Sequence, residues 1–220
     1  MANDDTPGVP GEEQDDEIVS SGGATTTKRF RVHCRSLSAM MQDAMSTEKV
    51  IEVLFHGNRP QKAKDITPEK VCEEALYRGP NDEFGFPGNN LYATLVNAGR
   101  YVKIGRAAVT KSDKATILPS FLTIDDEFIA FLDQTVKWKV DARRGQNAQG
   151  TAVAVIRPKF LKWEFETEIT VTIGDGVDES TVKELFRMAG SRVGLCSYRP
   201  AKGGSYGRFE VVSFDESPAA

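Results

Sequence analysis

Alternate positions from 163 to 173 carry Trp163, Phe165, Thr167, Ile169, Val171 and Ile173, and the positions between them carry Glu164, Glu166, Glu168, Thr170 and Thr172. A period of two is the period of a strand, whose successive side chains point to opposite faces. One apolar row and one acidic row on the same strand require a sheet with one face covered and one face in water. Gly174-Asp175-Gly176 ends the run. Asp178 then stands where a helix N-cap belongs, with Val177 placed to staple against Val182. Val182, Leu185, Phe186 and Ala189 follow as one helical stripe, and Gly190 is the expected C′ stop. A last strand is expected over 208–214.

The first half of the chain supplies the partners. Residues 28–35 alternate, with Phe30, Val32 and Cys34 on one face and Arg29, Arg31, His33 and Arg35 on the other. Helices are expected over 46–55 and 67–77, the second with Thr67 as N-cap, Pro68 at its first position and Val71, Cys72, Ala75 and Leu76 on its apolar side. Phe86-Pro87-Gly88-Asn89-Asn90 reads as a turn with an Asn cap. Leu91, Leu95 and Ala98 continue it as a short helix that stops at Gly99. One or two short strands are expected over 101–109 and 117–124. Val136, Trp138 and Val140 alternate with Lys137 and Lys139 to open a hairpin with a loop at 143–150 and a return over 151–156. Taken in order, these elements predict an α+β chain with a ferredoxin-like, RRM-like βαββαβ core, its sheet under two helices. The expected domain spans 28–214, with an insertion around 40–85 and a protruding hairpin around 136–157. Tails are expected at 1–27 and 215–220.

The net charge of −4 conceals an uneven distribution. Residues 1–27 hold seven acids and no Lys or Arg, so residues 28–220 are net positive. The acidic segment is poor in apolar residues and reads as a disordered tail. No run reaches the roughly 18 apolar residues of a membrane helix, and no signal peptide is evident. Cys34, Cys72 and Cys196 are widely spaced, which argues against a zinc site or disulfide framework and for a reducing, cytoplasmic setting.

Two segments concentrate positive charge. The first is the glycine-rich loop from 190 to 208, where Arg192, Arg199, Lys202 and Arg208 are interleaved with Gly203, Gly204, Tyr198 and Tyr206. Glycine lets backbone amides approach a phosphate, and tyrosine offers a stacking surface. The loop leaves the C-terminus of its helix, so the helix dipole does not favour anions there. The second is the hairpin, with Lys137, Lys139, Arg143, Arg144, Arg157, Lys159 and Lys162 against the single acid Asp141. The blander readings are a mobile connector and a solvated edge protected by lysines. The Arg face of the first strand should oppose the Glu face of 163–173 as cross-strand ion pairs.

Catalysis has little to build on. His33 and His56 are the only histidines, and Asp125-Asp126-Glu127 and Glu73-Glu74 have no His or Cys at ligand spacing. Cys196, beside Arg192 and Arg199, is the one thiol whose neighbours favour a thiolate. No cofactor motif is present, and none is expected.

Phe86-Pro87-Gly88-Asn89-Asn90-Leu91 before the first core helix, and the glycine loop from Gly190 to Gly207-Arg208-Phe209 before the last strand, resemble motifs of the RAMP superfamily. These are the RRM-like backbone and processing subunits of CRISPR effector complexes. Tyr92 and Val96 stand where the family often has basic residues, and its Gly-Ser-Gly element after the first strand is not evident. A phage- or plasmid-encoded relative fits as well as a CRISPR subunit. The resemblance implies single-stranded RNA or DNA as the partner and self-association along the strand. The expected function is non-catalytic nucleic-acid binding through the glycine loop and the basic hairpin. The alternative is a phage or mobile-element assembly protein using the same surfaces for protein contacts.

Overall fold

The computed structural model describes residues 24–45, 51, 67–112, 115–146 and 150–218. The helix expected over 46–55, His56, most of the acidic tail and the hairpin residues 147–149 lie outside the described residues. In chain order the elements are β1 (Thr26–Ser36), β2 (Met40–Met41), α1 (Pro68–Glu74), β3 (Gly85–Pro87) and α2 (Gly88–Ala98). Four short strands follow, β4 (Lys103–Ile104), β5 (Ala107–Ala108), β6 (Thr110–Ser112) and β7 (Ala115–Thr116). After these come β8 (Leu122–Ile124), β9 (Phe128–Ala130), β10 (Trp138–Gln146), β11 (Ala152–Phe160), β12 (Glu164–Ile173), α3 (Glu179–Met188) and β13 (Phe209–Ser217). The chain is a mixed α/β protein with antiparallel sheets and few helices.

The main sheet has the strand order β13–β1–β12–β8, antiparallel throughout. Its apolar face is the alternating row read from the sequence. Phe30, Val32 and Cys34 from β1 and Phe165, Ile169 and Val171 from β12 are fully buried. Leu91 and Leu95 of α2 and Val182, Leu185 and Phe186 of α3 join the same core. Each such side chain contributes about 1.5–3 kcal/mol through burial. The indole of Trp163 lies parallel to the ring of Phe165 at 6.1 Å, and the rings of Phe86 and Phe209 meet Phe165 edge-on. Replacing Phe165 by Ala would open this cluster at its centre, at a cost of about 3–5 kcal/mol.

The opposite face carries the expected ion pairs. Arg31 lies opposite Glu168 and Arg35 opposite Glu164. Arg31 bonds Glu168 at 2.9 Å, while Arg35 and His33 both reach Glu164, at 2.8 and 3.1 Å. Arg29 pairs with Asp125 at 3.1 Å. This face is therefore neutralised side chain by side chain. Exposed pairs of this kind contribute up to about 1 kcal/mol each.

Several local expectations are corrected. Residues 143–146 belong to β10 rather than to a loop, with Arg143 opposite Val155 and Arg144 opposite Ala154. Where one or two short strands are expected, the region 101–124 holds the paired fragments β4–β5 and β6–β7, a 3₁₀ turn at Leu118–Ser120 and β8. The first core helix starts after Pro87, and no Asn side chain caps it. Gly190 stands at C′, directly after the C-cap Ala189 of α3, but it does not take the left-handed conformation of a glycine stop. The backbone continues as a π turn over Ala189–Val193, and Gly194, with φ of 76°, makes the exit. Gly190 is required for packing, since a Cβ there would lie 2.1 Å from the carbonyl oxygen of Phe209.

Candidate nucleic-acid interface

The two basic segments are joined by a two-residue strand. Met40 and Met41 of β2 pair with Phe160 and Lys159 of β11, forming the sheet β10–β11–β2. The Met41 carbonyl also accepts a hydrogen bond from the Ser197 amide at 2.9 Å. The hairpin and the glycine loop are thus hydrogen-bonded to the same two residues.

The loop itself is held in an uncommon conformation. Cys196 and Tyr198 have φ of 59° and 54°, the left-handed region that non-glycine residues seldom occupy. Such residues persist where surrounding contacts over-determine them, often at functional sites. Here the contacts are visible. The Tyr198 carbonyl accepts from the Tyr206 amide at 3.1 Å, and the Gly204 amide donates to Arg199 O at 3.0 Å. A Cβ on Gly204 would lie 1.7 Å from the Tyr198 oxygen, so only glycine permits this return.

Strand alternation places Asp141 and Arg143 of β10, and Arg157 and Lys159 of β11, on the face turned to this loop. Asp141 is only 7% exposed and accepts hydrogen bonds from both Arg143 and Lys159. Hydrogen bonding by Arg143 holds the Asp141 carboxyl below its ordinary range. Arg143 also donates to the Tyr206 hydroxyl, and its guanidinium lies 4.9 Å from the Tyr206 ring centre and 5.8 Å from that of Tyr198. Arg157 stands 5.6 Å from the Tyr198 ring centre and bonds Asp43 at 2.6 Å. Tyr198 is therefore flanked by two arginines of the hairpin. The hairpin is less unopposed in charge than its composition indicates, because Asp141 and Asp43 engage three of its cations.

Between hairpin and loop lies a cavity of about 410 Å³ lined by Arg157, Cys196, Ser197, Tyr198, Arg199 and Lys202. Arg199 donates to the Cys196 carbonyl at 2.7 Å. The Nε atoms of Arg157 and Arg199 are shielded from solvent and have no hydrogen-bond partner among the described residues. The Cys196 thiol is not activated. Burial pushes it up to about 12, outweighing the nearby Arg199 charge. A larger cavity of about 610 Å³ beside α2 is lined by Asp125, Asp126 and Glu127, whose charge repels an anionic strand.

Not every sequence candidate converges here. Arg192 leans over the Tyr101 ring at 5.3 Å, away from the cavity lining. The Arg208 side chain is exposed, while its backbone carbonyl accepts from Leu37 and Ser38. Lys137 and Lys139 are exposed along β10 and its approach. Alternation turns Arg144 to the opposite face from Asp141, and it lines a cavity of about 450 Å³ with Ala142, Arg143, Val153, Ala154 and Ile156. Gly203, with φ of 75°, ends the 3₁₀ turn at Pro200–Lys202. Sequence reading missed Asp43 and the anchoring role of Asp141. The second was legible, because Asp141 and Arg143 are two apart on a strand and so share a face.

The described backbone is similar to two solved structures. One, "Cryo-EM structure of the Type III-B Cmr-beta bound to cognate target RNA", is 11% identical with a TM-score of 0.47, over 88% of this chain and 62% of the other. The second, Cmr6 from Pyrococcus furiosus, is 8% identical with a TM-score of 0.38, over 86% of this chain and 98% of the other. This chain spans 62% of the length of the Cmr-beta chain it matches. At TM-scores below 0.5 no site is transferred from either structure. No protein-family model matches the chain, and no curated protein matches it.

Proposed function

We propose that this protein binds single-stranded RNA or DNA, without catalysis, in the groove between the β10–β11 hairpin and the glycine loop. The four-stranded sheet with α2 and α3 is read as a ferredoxin-like βαββαβ core, a reading supported by its β13–β1–β12–β8 order. The observation that carries the function is the shared cavity, which sets Arg157 of the hairpin and Arg199 and Lys202 of the loop around the exposed side of Tyr198. Phosphate oxygens match guanidinium donors, and a base can stack on tyrosine without sequence preference. Arg143 and Lys159, bound to Asp141, shape the groove rather than meet the strand. Lys137, Lys139 and Arg144 extend positive charge along the hairpin.

Fluorescence anisotropy with a single-stranded RNA, a single-stranded DNA and a duplex over a salt series tests this. Affinity for single strands should fall with salt, each phosphate contact adding about 0.7 to the logarithmic slope. Absence of binding to any of the three at low salt would sink the reading. A second reading, assembly through protein contacts, draws support from the free edge of β13. There Leu37 and Val212 are exposed beside a groove of about 510 Å³. Oligomers that grow with concentration and ignore salt and nuclease would favour it.

A further inference from the structure

The cavity between hairpin and loop has a charge and donor pattern more specific than a backbone groove needs. Three cations face it, Arg157, Arg199 and Lys202. One carboxylate, Asp43, pairs with Arg157. Among the described residues no carboxylate pairs with Arg199 or Lys202. The neighbouring Asp141 is itself taken up by Arg143 and Lys159. The cavity wall therefore carries about two uncompensated positive charges. An internal phosphodiester brings one negative charge, whereas a phosphate monoester brings about 1.5 to 2 at pH 7 and three acceptor oxygens.

The donors point the same way. Among the described residues, the Nε–H groups of Arg157 and Arg199 are shielded from solvent and have no acceptor, an arrangement that is uncommon in native proteins. Arg157 Nη2 is committed to Asp43 and Arg199 Nη1 to the Cys196 carbonyl, which fixes both guanidinium planes at the cavity wall. Fixed arginine forks suit a group that offers several oxygens at one point. The loop is rigid at this place, since Tyr198 and Cys196 hold left-handed backbone and Gly204 is locked against Tyr198.

We propose that this cavity takes the terminal phosphate monoester of a bound strand, held by Arg157, Arg199 and Lys202, with the adjoining base against Tyr198. The strand rests on the nucleic-acid reading above; the phosphate site stands on the cavity alone.

The test uses the full chain and two probes. The first is one single-stranded oligonucleotide made with a 5′-phosphate, with a 3′-phosphate, or with hydroxyl at both ends, titrated by anisotropy at fixed salt. One phosphorylated end should bind about tenfold tighter than the hydroxyl form, the effect of one well-made set of charge-assisted bonds. Arg199→Gln should remove that preference, with the hydroxyl form still bound but several-fold more weakly. Lys202→Gln, at an exposed position, should narrow it and guards against a folding defect in the first variant. The second probe is inorganic phosphate, which should raise Tm above chloride at equal ionic strength in the parent chain and less in Lys202→Gln. Equal affinity for all three oligonucleotides overturns the proposal while the binding function stands. A phosphate-specific Tm rise with no oligonucleotide binding keeps the site and removes the function. Equal stabilisation by phosphate and chloride overturns the site.

Discussion

Arg143 on the hairpin donates to the hydroxyl of Tyr206 on the glycine loop, 63 residues further along the chain. The same guanidinium is bonded to Asp141, so one side chain closes the hairpin onto the loop.

Removing the hydroxyl should loosen that closure without emptying it. Tyr206→Phe keeps the ring under Arg143 and loses one hydrogen bond, a loss of about 1 kcal/mol. Urea denaturation should register this in the midpoint with an unchanged slope. Oligonucleotide affinity should fall several-fold through the displaced Tyr198 wall. An unchanged midpoint would mean that the ring contact alone holds the hairpin.

Asp141→Asn should be the most damaging polar change on the hairpin. It replaces the nearly buried carboxylate shared by Arg143 and Lys159 with a neutral amide, at a cost of about 3 kcal/mol. The effect depends on pH in a defined direction. The Asp141 carboxyl is held below its ordinary range, first by the Arg143 hydrogen bond and despite burial. A depressed carboxyl stabilises the fold fully above its unfolded pKa, near 3.9, and loses that contribution as pH falls through the folded value. The stability gap between parent and Asp141→Asn should therefore be constant from pH 7 to 5 and shrink below about pH 4. A gap that persists unchanged at pH 2.5 would contradict this.

Neighbouring glycines should respond differently to alanine. At Gly203 a Cβ meets nothing within 4 Å, so Gly203→Ala bears only the left-handed backbone strain of about 1–2 kcal/mol. At Gly204 the Cβ meets the Tyr198 carbonyl at 1.7 Å. Gly204→Ala should displace Tyr198 and abolish the affinity difference between parent and Arg199→Gln. Equal affinities for the two alanine variants would show that the position of Tyr198 is immaterial.

Two arginines of the same loop should separate in binding assays. Arg192 lies over Tyr101, outside the cavity, whereas Arg199 lines it. Arg199→Gln should lower the salt slope by about 0.7 and the affinity several-fold, and Arg192→Gln should change neither. If Arg192→Gln weakens binding as much, the strand follows the π turn instead of the hairpin.

Much of the sheet was legible because its strands are long. Eleven residues in β1 and ten in β12 repeat a period of two often enough to assign faces, and the Arg and Glu rows then imply their own pairing. The helix over Glu179–Met188 was equally plain from its capped start and apolar stripe. Its end was not, because Gly190 serves packing against Phe209, a contact that no local pattern encodes. Strands of two or three residues, such as β2 and β4 to β7, carry no period at all. The hairpin loop was placed too early since Arg143-Arg144-Gly145-Gln146 is polar, and polarity on a projecting ribbon does not distinguish strand from turn. The candidate site was legible as two basic segments. Its assembly was not, because Met41, Asp43 and the Tyr198–Arg157 contact join parts of the chain that sequence spacing leaves unrelated.

The two-residue strand β2 couples the hairpin to the loop mechanically. Its backbone is hydrogen-bonded to Lys159 on one side and to Ser197 on the other, with no flexible linker between. The hairpin strand β11 and the cavity wall at Ser197 are therefore one backbone hydrogen-bonded unit, so that the positions of Arg157 and Tyr198 are set together.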